Sequence, residues 1–146
     1  MASIRQPTGE HRKYTSDALR TVRETVLDGD ELRRTYPRPV EAPRVMVVLS
    51  TGPSDDPRTA AGEAAAARVD GVRIFVVGVG RTVGSSEAES IASRPWKNFT
   101  FLVEDPRRLG PVADQLAARI CDRKSLDRLL TTNTVNTTVA SEQGLF

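Results

Sequence analysis

Seven consecutive residues, Ser50-Thr51-Gly52-Pro53-Ser54-Asp55-Asp56, carry three hydroxyls and two carboxylates. They follow directly on the apolar run Arg44–Leu49. Continuous apolar runs of this kind form strands buried on both faces. In an open parallel sheet, ligands bind beyond the carboxyl ends of the strands. Oxygen donors at such a place suit hydrogen bonding to a ligand or coordination of a hard cation, which requires one or two carboxylates. Asp55 and Asp56 are weak candidates for that second role. The simpler reading is that they decorate a turn before Pro57.

A second pattern, Gly78-Val-Gly-Arg-Thr-Val-Gly84, follows a predicted strand and precedes a predicted helix. Glu104 stands about 20 residues further on, the spacing of a dinucleotide fingerprint. In such a fingerprint, glycines let a pyrophosphate approach a helix N-terminus. Here the helix is short and begins after an extra residue. The favoured reading is glycines that permit a tight turn, with a nucleotide-binding enzyme domain on Gly78, Gly80, Gly84 and Glu104 as the alternative. His11 is the only histidine and Cys121 the only cysteine. A zinc site or a Cys–His nucleophile is therefore unsupported, and no internal disulfide can form. Cys121 reads as a small residue at a helix end, or as a half-cystine whose partner lies in another chain. Asn98-Phe-Thr100 and Asn136-Thr-Thr138 match the N-glycosylation pattern, with Asn136 the more accessible.

The elements that would position these residues alternate. Residues 15–28 read as a helix capped by Thr15, with Leu19, Val22 and Val26 on one face. Arg44–Leu49 reads as a strand, and Thr59 caps an alanine-rich helix to Val69. Val72–Val77 is the second strand. Ser86 and Glu89 have capping-box spacing and open a short helix to about Ala92. Phe99–Val103 is the third strand. Asp105 caps a helix that has Pro106 at its first position and runs to Cys121. Strand–helix alternation means a parallel sheet with right-handed crossovers. The remainder, from Leu126, is rich in Thr, Asn and Ser and reads as disordered. Trp96 reads as packed in part under a loop.

The chain has 146 residues, enough for one domain. Its net charge of +2 and its scattered arginines leave no nucleic-acid footprint. Pairs such as Arg33-Arg34 and Arg107-Arg108 read as solvated faces. No run reaches the roughly 18 apolar residues of a membrane span. Met1–Pro7 lacks the apolar core of a secretory signal.

The ordered set of segments resembles the later part of a von Willebrand factor type A domain, in the flavour of its collagen-associated and other matrix members. The matching pieces are Tyr14–Val26, Arg44–Gly52, Gly71–Gly80, Glu89–Ser93, Phe99–Asp105 and Ala117–Cys121. The resemblance implies a doubly wound, Rossmann-like parallel sheet with helices on both faces. It also implies a divalent cation at the top of the sheet that helps capture a protein ligand. The family draws its metal ligands from an Asp-x-Ser-x-Ser loop after the first strand, a Thr before the helix near Thr15, and an Asp after the strand ending at Leu49. Here no Asp-x-Ser-x-Ser occurs, the Thr position falls on Lys13, and the Asp position falls on Thr51.

These departures lead to the expectation of a partial domain lacking the family's first strand: residues 1–14 an N-terminal segment, 15–124 the domain, and 125–146 the polar tail. The expected function is a non-enzymatic protein-interaction or adhesion module with a degenerate metal site and no cofactor. Its ligand-binding residues would be Lys13, Thr15, Ser50, Thr51, Ser54 and Asp55. Partners would be proteins, including extracellular-matrix components, and the location extracellular. Without its neighbour, Arg44–Leu49 would present an open apolar edge that invites self-association. A fragment without function of its own is the third alternative.

Overall fold

A computed structural model describes residues 12–27, 34–35 and 42–121. The expectations for the N-terminal eleven residues and for residues 122–146, Asn136 included, lie outside this set. Three parallel strands form one sheet in the order β1-β2-β3: β1 is Arg44–Ser50, β2 is Val72–Val79 and β3 is Thr100–Val103. The α-helices with both ends among the described residues are α1 (Thr15–Thr21), α2 (Pro57–Val69), α3 (Ser85–Ile91) and α4 (Leu109–Cys121). This is the expected α/β architecture.

β2 lies in the middle, and seven of its eight residues are buried. Its Val/Ile/Phe composition suits a strand covered on both faces. The register sets Met46 beside Ile74 and Val47 beside Phe75, then Val77 beside Phe101. Side chains alternate between faces. Met46, Val48, Ile74 and Val76 therefore face one side, and Val47, Leu49, Phe75, Val77 and Phe101 the other. Helices α1, α2 and α3 cover the first side. α2 can lie close because Ala60, Ala64 and Ala67, fully buried, form its inner stripe. α4 covers the other side over β3, where the Arg119 guanidinium stacks 4.7 Å from the Phe101 ring. Phe75 and Phe99 pack with ring centroids 4.8 Å apart.

Several boundaries move. α1 ends at Thr21 and passes into a π-helical segment, Val22–Leu27. Thr15 is the first helical residue rather than its cap, because its amide bonds the distant Ser54 hydroxyl. α2 starts at Pro57 with Asp56 before it, so Thr59 lies inside the first turn; proline's fixed φ suits that first position. Gly84, not Ser86, precedes α3, and no side-chain cap forms. β2 runs two residues beyond Val77, while Phe99 falls just before β3. Asp105 does cap, accepting from the Arg107 amide at 2.9 Å. Trp96 is half-buried against the core, as expected. Cys121 is free and exposed at the end of α4. Among the described residues β1 pairs only with β2, and Val47 and Leu49 are 44% and 63% exposed.

Two arginines of the first helical stretch clamp it to α2. Arg20 reaches Glu63 at 2.7 Å, and Arg23 reaches Glu63 at 3.4 Å and Asp70 at 3.3 Å. The hydrogen bond from Arg20 holds the Glu63 carboxyl below its ordinary value. A depressed carboxyl stabilises the fold above its unfolded pKa, and the effect fades as pH falls through the folded value. Glu63→Gln should therefore lower the melting temperature at pH 7 and narrow the gap between melts at pH 7 and pH 3. Asp17→Asn, at a 3.7 Å exposed pair, should change little. Equal melting curves for wild type and Glu63→Gln would refute the clamp.

Candidate functional site at the carboxyl end of β1

The turn after β1 is fastened to the start of α1 by bonds spanning about forty residues of sequence. Asp55 accepts from the Lys13 amide, and its own amide donates to the Lys13 carbonyl at 3.0 Å. The Ser54 hydroxyl shares its one proton between that carbonyl, at 2.9 Å, and the Asp56 carboxylate, and receives the Thr15 amide at 3.4 Å. Asp56 accepts from the hydroxyls of Ser16 and Ser54. From the opposite side, Glu87 of α3 takes the Ser54 amide on both carboxylate oxygens at 3.1 Å. Ser54 and Ser16 are buried by this clasp.

Burial alone would push the Asp56 carboxyl up. The hydroxyls of Ser16 and Ser54 and the amides of Ser16 and Asp56 outweigh it and hold the group below its ordinary value. Asp56 is thus a hydrogen-bond acceptor inside the fold.

Above the clasp lies the Lys13 ammonium. Its Nζ donates to Thr51 Oγ1 at 3.3 Å. No carboxylate of the described residues pairs with it. Gly52 sits beneath, and a Cβ there would stand 3.0 Å from Lys13 Nζ. Thr82, in the turn after β2, reaches the Thr51 carbonyl at 3.2 Å. Ser50 closes its own turn, donating to the Gly52 carbonyl at 2.7 Å. The structure therefore gathers all six expected ligand-binding residues, Lys13, Thr15, Ser50, Thr51, Ser54 and Asp55, at one end of β1. Lys13 and Thr51 carry the exposed polar groups; Ser54 and Asp55 are committed to the clasp. Ser16, Thr82 and Glu87 were not anticipated. Nothing local marks them, because each acts on a loop distant in sequence.

The glycines of the second pattern have structural duties. A Cβ on Gly78 would come within 2.7 Å of both Leu102 and Val83 side chains. Gly80 has φ +100°, a conformation that side chains disfavour. Glu104 is exposed and lies 3.8 Å from Arg81. Between them opens a cleft of about 650 Å³ lined by Arg81, Leu102–Pro106 and Arg108. Its charges are of both signs and lie at the surface, and α3, with seven residues, offers little platform for a pyrophosphate. Asn98 is half-buried, and its carbonyl receives the Arg119 guanidinium at 2.6 Å.

The family model of the von Willebrand factor type A domain matches residues 1–115. The chain belongs to this family. Matrilin-2 of Mus musculus is 30% identical over 86 residues, 59% of this chain and 9% of that protein. The collagen alpha-1(XXI) chain of Xenopus laevis is 30% identical over 80 residues, 54% of this chain and 8% of that protein. Among solved structures, proximal thread matrix protein 1 of the mussel byssus, with a zinc-occupied MIDAS motif, superposes with TM-score 0.58 at 25% identity, covering 76% of this chain and 26% of that one. This type A sequence spans only 8–9% of the length of the curated relatives it matches. Matrilin-2 and the collagen alpha-1(XXI) chain are proteins of the extracellular matrix.

In this type A fold the clasp decides where Lys13 stands. Asp56→Asn keeps the shape but weakens two hydrogen bonds to a charged acceptor, each worth about 1.5–3 kcal/mol. We expect a lower denaturant midpoint and faster amide exchange at residues 13–16. The loss should reproduce what wild type shows on acidification below the ordinary aspartate value, since the carboxyl is depressed. An unchanged midpoint and unchanged exchange would show that the clasp does not hold α1.

Proposed function

We propose that this chain is a non-enzymatic protein-interaction module of the extracellular matrix, and that Lys13 replaces the divalent cation of its family at the recognition face. One observation carries the reading: the Lys13 ammonium stands 3.3 Å from Thr51 Oγ1. Those are the two positions where the resemblance expects metal ligands.

The donor set does not fit a divalent cation. An ammonium beside the site would repel one. Asp55 and Asp56 already accept bonds from Lys13, Ser16 and Ser54. Among the described residues, no three His, Cys, Asp or Glu side chains lie close enough to share a metal. A fixed positive charge at the sheet top suits a direct ion pair with an acidic group of a protein ligand, with Thr51 adding a hydroxyl. Such contacts at a surface weaken with salt. The matrix relatives support a protein partner and an extracellular location. No described helix is long and apolar enough to cross a membrane.

Isothermal titration with magnesium and manganese should show no saturable binding. A Kd tighter than about 100 µM, roughly 5.5 kcal/mol, would overturn the replacement of the cation. Solid-phase binding to collagens, laminin and fibronectin should reveal at least one saturable interaction. It should be unchanged by EDTA, weakened by salt and reduced by Lys13→Ala or Thr51→Ala. Saturable binding that both variants retain would remove recognition from this face. No binding to any of these proteins would count against the matrix assignment. Titration with NADH should give no saturable signal; one abolished by Gly80→Val would favour the nucleotide-binding alternative.

A further inference from the structure

We infer that the loop between α3 and β3 binds a linear sulfated polysaccharide, through Arg94 and Lys97 with Arg68 and Arg119 at its flanks. This site lies opposite the Lys13 face and does not rest on the reading of that face. No Asp or Glu occurs between Glu89 and Glu104. Within that stretch Arg94 and Lys97 are both exposed. The loop that carries them is fixed on the fold. The Ser93 amide donates to the Ile74 carbonyl at 3.0 Å, and the Ile74 amide donates to the Ser93 hydroxyl at 2.9 Å. The Asn98 and Phe99 amides close a short 3-10 turn on the Pro95 and Trp96 carbonyls, each at 3.0 Å. Ile74 stands near the start of β2, so the loop sits at the amino-terminal end of the strands.

Two more guanidiniums reach the loop from neighbouring helices. Arg68, near the end of α2, donates through Nη1 to the carbonyls of Ser90 and Ile91 at 3.1 and 2.7 Å. Arg119, near the end of α4, donates through Nη1 to the Asn98 carbonyl at 2.6 Å. A guanidinium has five N–H donors, so both keep donors beyond these bonds. Burial, and then the charge of Arg94, push the Arg68 group below its ordinary value. The two cations therefore stand close enough to repel. Asp70, two residues after Arg68, is engaged by Arg23 at 3.3 Å. Among the described residues, no carboxylate pairs with Arg68, Arg94, Lys97 or Arg119. Like charges gathered without a counter-charge cost free energy that a bound anion recovers.

Sulfate groups suit this set. Each keeps its charge at any physiological pH, and the planar fork of arginine meets an oxyanion with two parallel hydrogen bonds. A short Lys/Arg cluster is the pattern of a heparin-type patch. Single-stranded nucleic acid fits less well, because its bases need open aromatic faces on which to stack. Trp96 is half-buried, and the Lys97 ammonium lies 5.7 Å from its ring centre. That cation–π contact keeps the lysine charge beside the loop. Duplex nucleic acid needs a wider basic surface than a chain of net charge +2 supplies.

Surface plasmon resonance of the full chain over immobilised heparin tests the proposal. Saturable binding is expected, weakened by salt and absent on fully desulfated heparin. Arg94→Glu combined with Lys97→Glu should reduce affinity at least about tenfold at an unchanged melting temperature. Arg58→Glu reverses an exposed charge at the opposite end of the molecule and should reduce it by less than about twofold. Lys13→Ala should leave heparin affinity unchanged. If the double reversal lowers the melting temperature, amide shift mapping on wild type decides: a heparin oligosaccharide should move residues 93–98 and leave residues 50–56 in place. Heparin binding that survives the double reversal in a folded chain, that Arg58→Glu weakens equally, or that maps to residues 50–56 overturns the proposal. So does a failure to bind heparin, or tighter binding to an oligonucleotide or to phosphatidylserine vesicles.

Discussion

Everything in this fold leans on β2. It is the one described strand with a neighbour on both sides, and its side chains supply the layer against which both sets of helices pack. Ile74 and Val76 receive α2 and α3, while Phe75 and Val77 face the α4 side. Burial on two faces leaves no room for polar side chains through its centre, which is why it reads Ile-Phe-Val-Val. Because the sheet is parallel, every strand must deliver its following loop to the same end. That requirement brings the turn after β1 beside the turn after β2, and Thr82 to the Thr51 carbonyl.

At that end the fold solves an electrostatic problem with its own atoms. Carboxylates crowded at a sheet top need positive or hydrogen-bonding partners. Asp56 takes hydroxyls and amides, Asp55 takes the Lys13 amide, and Glu87 takes the Ser54 amide. The proposed reading adds that the Lys13 ammonium then stands free to meet an acidic group from another molecule. A cation of fixed charge cannot be removed by a chelator, so recognition would depend on salt rather than on metal supply. The same bonds hold α1 in place, so the stability of the clasp and the position of the recognition face are one property.

Among the described residues β1 has its one neighbour in β2, and Val47 and Leu49 stay partly exposed on the α4 side. Apolar strand edges of this kind favour pairing with a further strand.

The elements themselves were legible in the residues. Apolar runs marked β1 and β2, Asp105-Pro106 marked the start of the last helical stretch, and α2 was legible as an alanine-rich helix. These are local signals, set by side-chain periodicity and by backbone preferences of proline and glycine. The resemblance, also carried by sequence, singled out Lys13 and Thr51. Where helices begin was less legible. Thr15 looked like a cap but lies inside the helix, because Ser54, 39 residues away, takes its amide. Ser16 and Glu87 gave no signal of their roles for the same reason. β1 read as a strand apolar on both faces that lacks one neighbour, and its place in the described sheet is an edge. Composition fixes how a strand wishes to be buried; only the chain's path through space determines which neighbours bury it. The sequence alone therefore determined the strands, the helices and their parallel order. The tertiary structure alone decided the clasp and the position of the Lys13 charge, since each depends on groups that meet only when the chain has folded.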